Sequence, residues 1–278
     1  MKKKLHIALF LLVGFSFYAQ DKIKIKGNKE VITTTFDLAN FETLEIYDDF
    51  EITFSSGNST NNCTVTADSN LQETIVFETV GTVLKIHTDY KYTSKKKLEI
   101  VVNGKDINSV ILHNKAEANQ IGFIKTPNSF SITASDNSKF KLDVNAKNID
   151  FRLNNNAKGD FVFQADSIKM VLSDEIDTKG LVKAKYCNLQ MYNDAELDLE
   201  GSTTFMKAIL VGKPILRARE FVNNKLIIEQ SNSSDAYVNV QDKINIFLTD
   251  KAKLYLFNSP EVKIEGIRDN AHIIKKNK

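Results

Sequence analysis

The sequence predicts an all-β protein built as a single-stranded β-solenoid, a parallel β-helix-like coil of about nineteen residues per rung. Three observations predict it. One small or turn-type position recurs every nineteen residues, at Ser138, Ala157, Ile176, Ala195, Pro214, Ser233, Ala252 and Ala271. Two residues before each stands a turn former: Asp136, Asn155, Asp174, Asn193, Gly212, Ser231, Asp250 and Asp269. Three residues after it, Lys141, Asp160, Lys179, Asp198 and Arg217 alternate in sign. Rungs stacked about 4.8 Å apart set each of these charges beside opposite neighbours, which favours stacking in register.

The N-terminus reads as an export leader over residues 1–19. Met-Lys-Lys-Lys precedes an apolar run from Ile7 to Phe17, and Ala19 supplies a small residue for cleavage. The run is too short to cross a bilayer, no later stretch is long enough, and no Cys follows it for lipid attachment. The expected destination is the periplasm, the cell surface or the medium, with no membrane span once the leader is removed. Loss of three lysines from the thirty-seven basic residues, against thirty-five acidic ones, leaves a mature chain near −1. Such a chain lacks the basic footprint of a nucleic-acid binder.

Residues 20–110 read as an irregular N-terminal β part of the solenoid. Leu44 and Ile46, then Phe50, Ile52 and Phe54, then Cys63, Val65 and Ala67 alternate with period two. Ser55–Asn58 reads as the end of a hairpin arm, Asn103-Gly104 as a hairpin turn, and Lys95–Lys97 as a solvated turn between paired strands. Residues 71–80 fit either a short helix or a strand. Residues 111–278 read as the regular nineteen-residue repeat.

Within each rung, positions two apart share a face. Six and four before the small residue come Ile132 and Ala134, Phe151 and Leu153, Met170 and Leu172, Leu189 and Met191, Ala208 and Leu210. Two and four after it come Phe140 and Leu142, Leu197 and Leu199, Leu254 and Leu256. These columns face inward, and each rung becomes a strand, a tight Asx turn, a second strand and a looser return. The Ser233 rung fits poorly: Val238 and Val240 read better as inward if the slot belongs to Ala236, which implies a longer turn there with residues made up elsewhere. The last rung breaks at Glu265, as a capping rung can.

Few residues are left for chemistry. His87, His113 and His272 have no metal-ligand spacing. The chain has no G-x-S-x-G elbow, P-loop or Rossmann glycine pattern. Asx turns resemble the calcium sites of nonapeptide β-rolls, but those are rich in glycine and this chain has eleven. Asp198, Glu200, Arg217 and Arg219 come nearest to the acidic-ligand and arginine-base set of pectin-cleaving β-helices, and alternating charge explains them without catalysis. Tyr186, Tyr192, Tyr237 and Tyr255 fall in different columns and there is no Trp, which argues against a sugar cleft. Export permits a bridge between Cys63 and Cys187, and two separate buried thiols is the favoured reading. No catalytic, cofactor-binding or metal residue is assigned.

The stretch Thr35-Phe36-Asp37-Leu38-Ala39-Asn40-Phe41, the alternating strand to Phe54, and Thr64-Val65-Thr66-Ala67-Asp68-Ser69-Asn70-Leu71 carry a resemblance, together with Gly81-Thr82-Val83-Leu84-Lys85-Ile86. The chain resembles a secreted family common in Bacteroidetes and described as "putative autotransporter adhesin, head GIN domain". That family carries Ser-Gly-Ala-Ser turns where this chain has Asn154-Asn155-Asn156-Ala157 and Tyr192-Asn193-Asp194-Ala195. The resemblance implies a β-solenoid, export, and no established catalytic activity or cofactor. The expected function is non-catalytic binding or scaffolding at the cell envelope, toward an envelope protein or a glycan. The alternative is a pectate-lyase-like enzyme acting on polysaccharide.

Overall fold

In the computed structural model, residues 22–277 are described, and the leader with its cleavage after Ala19 lies outside them. The described chain is a β-solenoid of about nine turns. Six long strands carry its regular part: Lys139–Leu153, Lys158–Leu172, Asp177–Asn193, Glu196–Gly212, Ile215–Gln230 and Asp235–Leu248. Each pairs in parallel with the next, and in the first four the partner lies nineteen residues on, as Lys141 with Asp160 and Asp160 with Lys179. One corner of successive rungs takes a left-handed backbone. Asn114, Asp136, Asn155, Asp174, Asn193, Asn232, Asp250 and Asp269 all hold φ between 58° and 71°. Asn and Asp tolerate this left-handed region better than other residues with a Cβ, and Gly212 takes the same place in its rung.

The return is tighter than the repeat pattern suggests. The ladder skips single positions at Lys147, Asp166, Lys185 and Thr204, so each long strand bends at one residue and resumes pairing. A second difference lies in the rung after Gly212. Asn232, not Ser231, holds the left-handed corner, so Ser234 takes the slot two residues on; Ala236, Val238 and Val240 follow it as buried, inward residues. The corner spacing is twenty residues from Gly212 to Asn232 and eighteen on to Asp250. The slip turns Ile228 and Gln230 inward in place of Ile227 and Glu229. Near the C-terminus, a register shift after Ile246 bulges Glu265 out of the ladder.

The N-terminal part begins the same stack and then departs from it. Thr43–Ile46 and Glu51–Ser55 pair in parallel with Ser109–Leu112 and Glu117–Gln120. Asn62–Asp68 instead pairs antiparallel with Val31–Asp37 and with Leu98–Asn103. Leu98–Asn103 therefore lies between Glu51–Ser55 and Asn62–Asp68, and Ser55–Asn58 closes no hairpin. Asn103-Gly104 leads to Ser109–Leu112, which stacks elsewhere. Lys95–Lys97 joins Tyr90–Ser94, whose partner is Ile23–Lys26, to the main sheet. Residues 71–80 contain both expected forms: the helical turn Ser69–Gln72 buries Leu71, and the strand Val76–Val80 follows.

Packing explains the gaps in the apolar columns. Gly159 interrupts the Phe140 column and Gly180 the Phe161 column. A Cβ on Gly159 would stand 2.5 Å from the Phe140 carbonyl oxygen, and one on Gly180 would stand 2.2 Å from the Phe161 ring. A large ring on one rung thus occupies the space left by a glycine on the next. Phe161 also packs against Phe151 and Phe163, at centroid distances of 4.8 and 4.7 Å. Ring burial of this kind contributes about 2–3 kcal/mol per side chain.

Candidate docking face

The first strand of each rung presents three outward columns side by side. One holds Lys139, Lys158, Asp177 and Glu196; the next holds Lys141, Asp160, Lys179, Asp198 and Arg217; the third holds Asp143, Val162, Leu181 and Glu200. Parallel pairing without a bulge from Lys139 to Asp198 keeps these columns straight. The expected alternation is therefore physically stacked. Lys179 lies 3.8 Å from Asp160, Lys158 lies 3.8 Å from Asp177, and Arg217 reaches Glu196 at 2.8 Å and Asp198 at 3.3 Å. The hydrogen bond to Glu196 holds the Arg217 guanidinium further above its ordinary pKa. Exposed pairs of this kind contribute about 0–1 kcal/mol each.

A groove of about 570 Å³ runs beside the second column. Val162, 43% exposed, and Leu181 form an apolar strip in it, flanked by Lys141, Lys179, Asp198 and Glu200. At its N-terminal side Gln120 completes the wall: its Nε2 donates to the Asp143 carbonyl at 2.8 Å, and its Oε1 accepts from the Asp143 N–H. The side chain thus replaces strand pairing where the chain bulges at Gly122.

Of the four residues nearest to a lyase set, Asp198 and Glu200 line the groove and Arg217 reaches Asp198, while Arg219 turns elsewhere. Arg217 is engaged by Glu196 and Asp198, whereas Arg219 turns to Glu220 at 3.5 Å and lies 5.3 Å from the Phe257 ring. Among the described residues no three His, Cys, Asp or Glu side chains are placed to hold a metal ion. The turn carboxylates are occupied by backbone donors of neighbouring rungs, not by their own turns alone. Asp136 accepts from the Asn114 N–H at 3.0 Å and from Asn155 Nδ2 at 2.9 Å. Those bonds hold its carboxyl below the ordinary value, the Asn114 N–H contributing most.

Two groupings were not legible in the sequence. With the slot at Ser234, Tyr237 falls in the charge column above Arg217, and Tyr255 above Tyr237. Their rings stack 4.2 Å apart and 2° from parallel, with the Lys276 ammonium 5.4 Å from the Tyr255 centroid. The tyrosines are thus not all scattered, and the one-residue slip hid the pair. The second grouping is at the N-terminal end. Tyr47 stacks on His113 at 4.5 Å, with His87 edge-on at 6.4 Å, and both Tyr47 Oη and His113 Nε2 meet Glu45 Oε1. Burial, with the Glu45 hydrogen bond, raises the Tyr47 phenol to about 12. His272 is exposed near the opposite end.

Cys63 and Cys187 are free and buried in different parts of the core. Burial pushes both thiols up to about 12.

A parallel coil whose polar side chains serve turns and inter-rung pairing defines a repeat-built β-solenoid by class. Residues 40–162 and 156–260 match the family described as "Putative auto-transporter adhesin, head GIN domain", and the chain belongs to that family. Three solved structures share the fold. A "putative adhesin" from Parabacteroides distasonis superposes with TM-score 0.69 at 16% identity, covering 91% of this chain and 100% of its own. A "putative lipid binding protein" from the same organism gives 0.65 at 14%, covering 91% and 99%. A "putative adhesin" from Parabacteroides merdae gives 0.58 at 16%, covering 91% and 99%. No curated protein matches the chain.

Proposed function

We propose that the protein is an exported, non-catalytic, adhesin-like module of the cell envelope that docks through the face built from the Lys139, Lys141 and Asp143 columns. One observation carries this reading: exposed Val162 and half-buried Leu181 lie together at the middle of a straight, charge-lined face of the solenoid. An apolar strip rimmed by charge is a common form of contact surface. The leader-like N-terminus supports export. The engagement of Arg217 by Glu196 and Asp198, and the turning of Arg219 to Phe257, give three of the four lyase-like residues structural partners instead.

The test is fractionation of cells expressing the full chain, followed by binding of purified protein to envelopes from cells that carry it. The protein should fractionate with the envelope or the medium, and Val162→Asp with Leu181→Asp should cut binding at least tenfold without changing the circular dichroism. Recovery in the cytosol, or undiminished binding by the variant, would end the reading. Calcium-dependent cleavage of acidic glycans that Asp198→Asn abolishes would replace it with the lyase.

A further inference from the structure

The charge pattern of this face matches itself. Consider a second copy turned through 180° about an axis lying in the face, crossing it between the Asp160 and Lys179 rungs. Rung order then reverses, and each column meets the same column of its mate. Lys158 opposes Asp177, and Lys139 opposes Glu196. In the next column Asp160 opposes Lys179, and Lys141 opposes Asp198. In the third, Val162 meets Leu181 at the centre. All these residues occupy the register that the parallel ladder sets, and all but the half-buried Leu181 and Glu196 are exposed. One like-charged meeting, Asp143 with Glu200, falls at the two ends.

Other registers fail. Moving the axis by half a rung spacing, onto a rung, sets Asp160 against Asp160 or Lys179 against Lys179. Moving it by a whole spacing keeps the second column paired but brings Lys139 against Lys158, or Asp177 against Glu196. One register satisfies both charged columns and closes the apolar strip. The other strand face has no such symmetry: its column reads Asp150, Lys169, Asn188, Lys207. The 3.8 Å contacts Lys158–Asp177 and Lys179–Asp160 are long enough for the ammonium groups to turn outward to a mate.

We infer that the occupant of this docking face is a second copy of the chain, set antiparallel across a two-fold axis; the inference rests on the docking-face reading above. The same register brings the flanking Glu117–Asn119 rung against the Ile215–Arg217 rung; with the four rungs above they cover roughly 29 by 20 Å, so both partners together bury about 1,200 Å², the low end for a specific interface. The association is therefore weak, salt-sensitive and closed at two.

Sedimentation velocity on the purified protein tests it. The wild type should pass from monomer to dimer at about 10–100 μM in low salt and weaken at 0.5 M salt. An acidic variant, Lys141→Glu with Lys158→Glu, should lose association at least tenfold when alone. So should a basic variant, Asp177→Lys with Asp198→Lys. An equimolar mixture should recover it, because each new charge then meets its opposite across the interface. Intramolecular repair cannot produce that recovery, and unchanged circular dichroism would show that both variants fold. A wild type that stays monomeric to about 1 mM, variants that associate like the wild type, or a mixture that stays monomeric would each overturn the inference. A monomeric wild type that still binds envelopes would overturn self-docking alone. A dimer that binds none would remove the envelope reading and leave the interface standing.

Discussion

Asn193 donates its Nδ2 to Asp174 Oδ1, nineteen residues earlier, at 2.7 Å. Asp174 also accepts from the backbone N–H of Asn155 through its other oxygen, at 3.3 Å. At Asp136 and Asp174 the Asx corner is thus a ladder in which the carboxylate ties the rung before it to the rung after it. Asn193→Ala should lose this bond and strain a left-handed corner, lowering stability by about 1–2 kcal/mol. Asn193→Gly keeps the corner and should cost less. Urea denaturation of the two variants checks the order.

Acid should unpick the same ladder. The Asn114 N–H holds Asp136 below its ordinary value of 3.8, and the Asn232 N–H does the same for Asp250. A carboxyl depressed in the folded state contributes stability that is complete above the unfolded value. That contribution fades as pH falls from there through the folded value. The melting temperature should therefore gain no acid sensitivity from these two groups above about pH 4, and should lose stability through them below it. Asp136→Asn with Asp250→Asn should show a shallower fall between about pH 4 and pH 2 than the wild type.

Gly180→Ala should be destabilising by about 1–3 kcal/mol, because its Cβ would meet the Phe161 ring at 2.2 Å. No left-handed backbone is involved there, so the cost is one of crowding. Phe161→Leu should lower stability in the parent and relieve part of the crowding in the Gly180→Ala background. A double-mutant cycle by thermal melting should return a coupling of about 1 kcal/mol.

Both thiols should resist an aromatic disulfide reagent at pH 8 in the native state and react together on unfolding. Their burial and raised values leave almost no exposed thiolate. Fast reaction of either one without denaturant would contradict the packing of its column.

The regular rungs were legible because each residue there meets the residue nineteen away, so spacing in the chain is spacing in space. Lys141 to Arg217 could be stacked on paper and are stacked in the molecule. Spacing along the chain stops matching spacing in space where one residue is gained and lost again, from Gly212 to Asp250. Placing the slot at Ser233 shifted Tyr237 out of the charge column and hid its stacking on Tyr255. The N-terminal hairpins failed for another reason. Glu51–Ser55 and Asn62–Asp68 look like successive arms, but Leu98–Asn103 arrives from far along the chain and lies between them. The docking face was half legible: its charges were read, but the apolar strip of Val162 and Leu181 was not.

The sequence by itself determined the all-β coil, its nineteen-residue period, its Asx corners and the order of charges along one face. These are properties of a repeating local unit, and alternation with turn chemistry suffices to express them. Tertiary structure decided which column Tyr237 joins, why Gly159 and Gly180 interrupt apolar columns, and how the strand Leu98–Asn103 is placed. Each of those depends on ring volumes and strand partners brought together across the chain, and a period read along one strand carries no information about them.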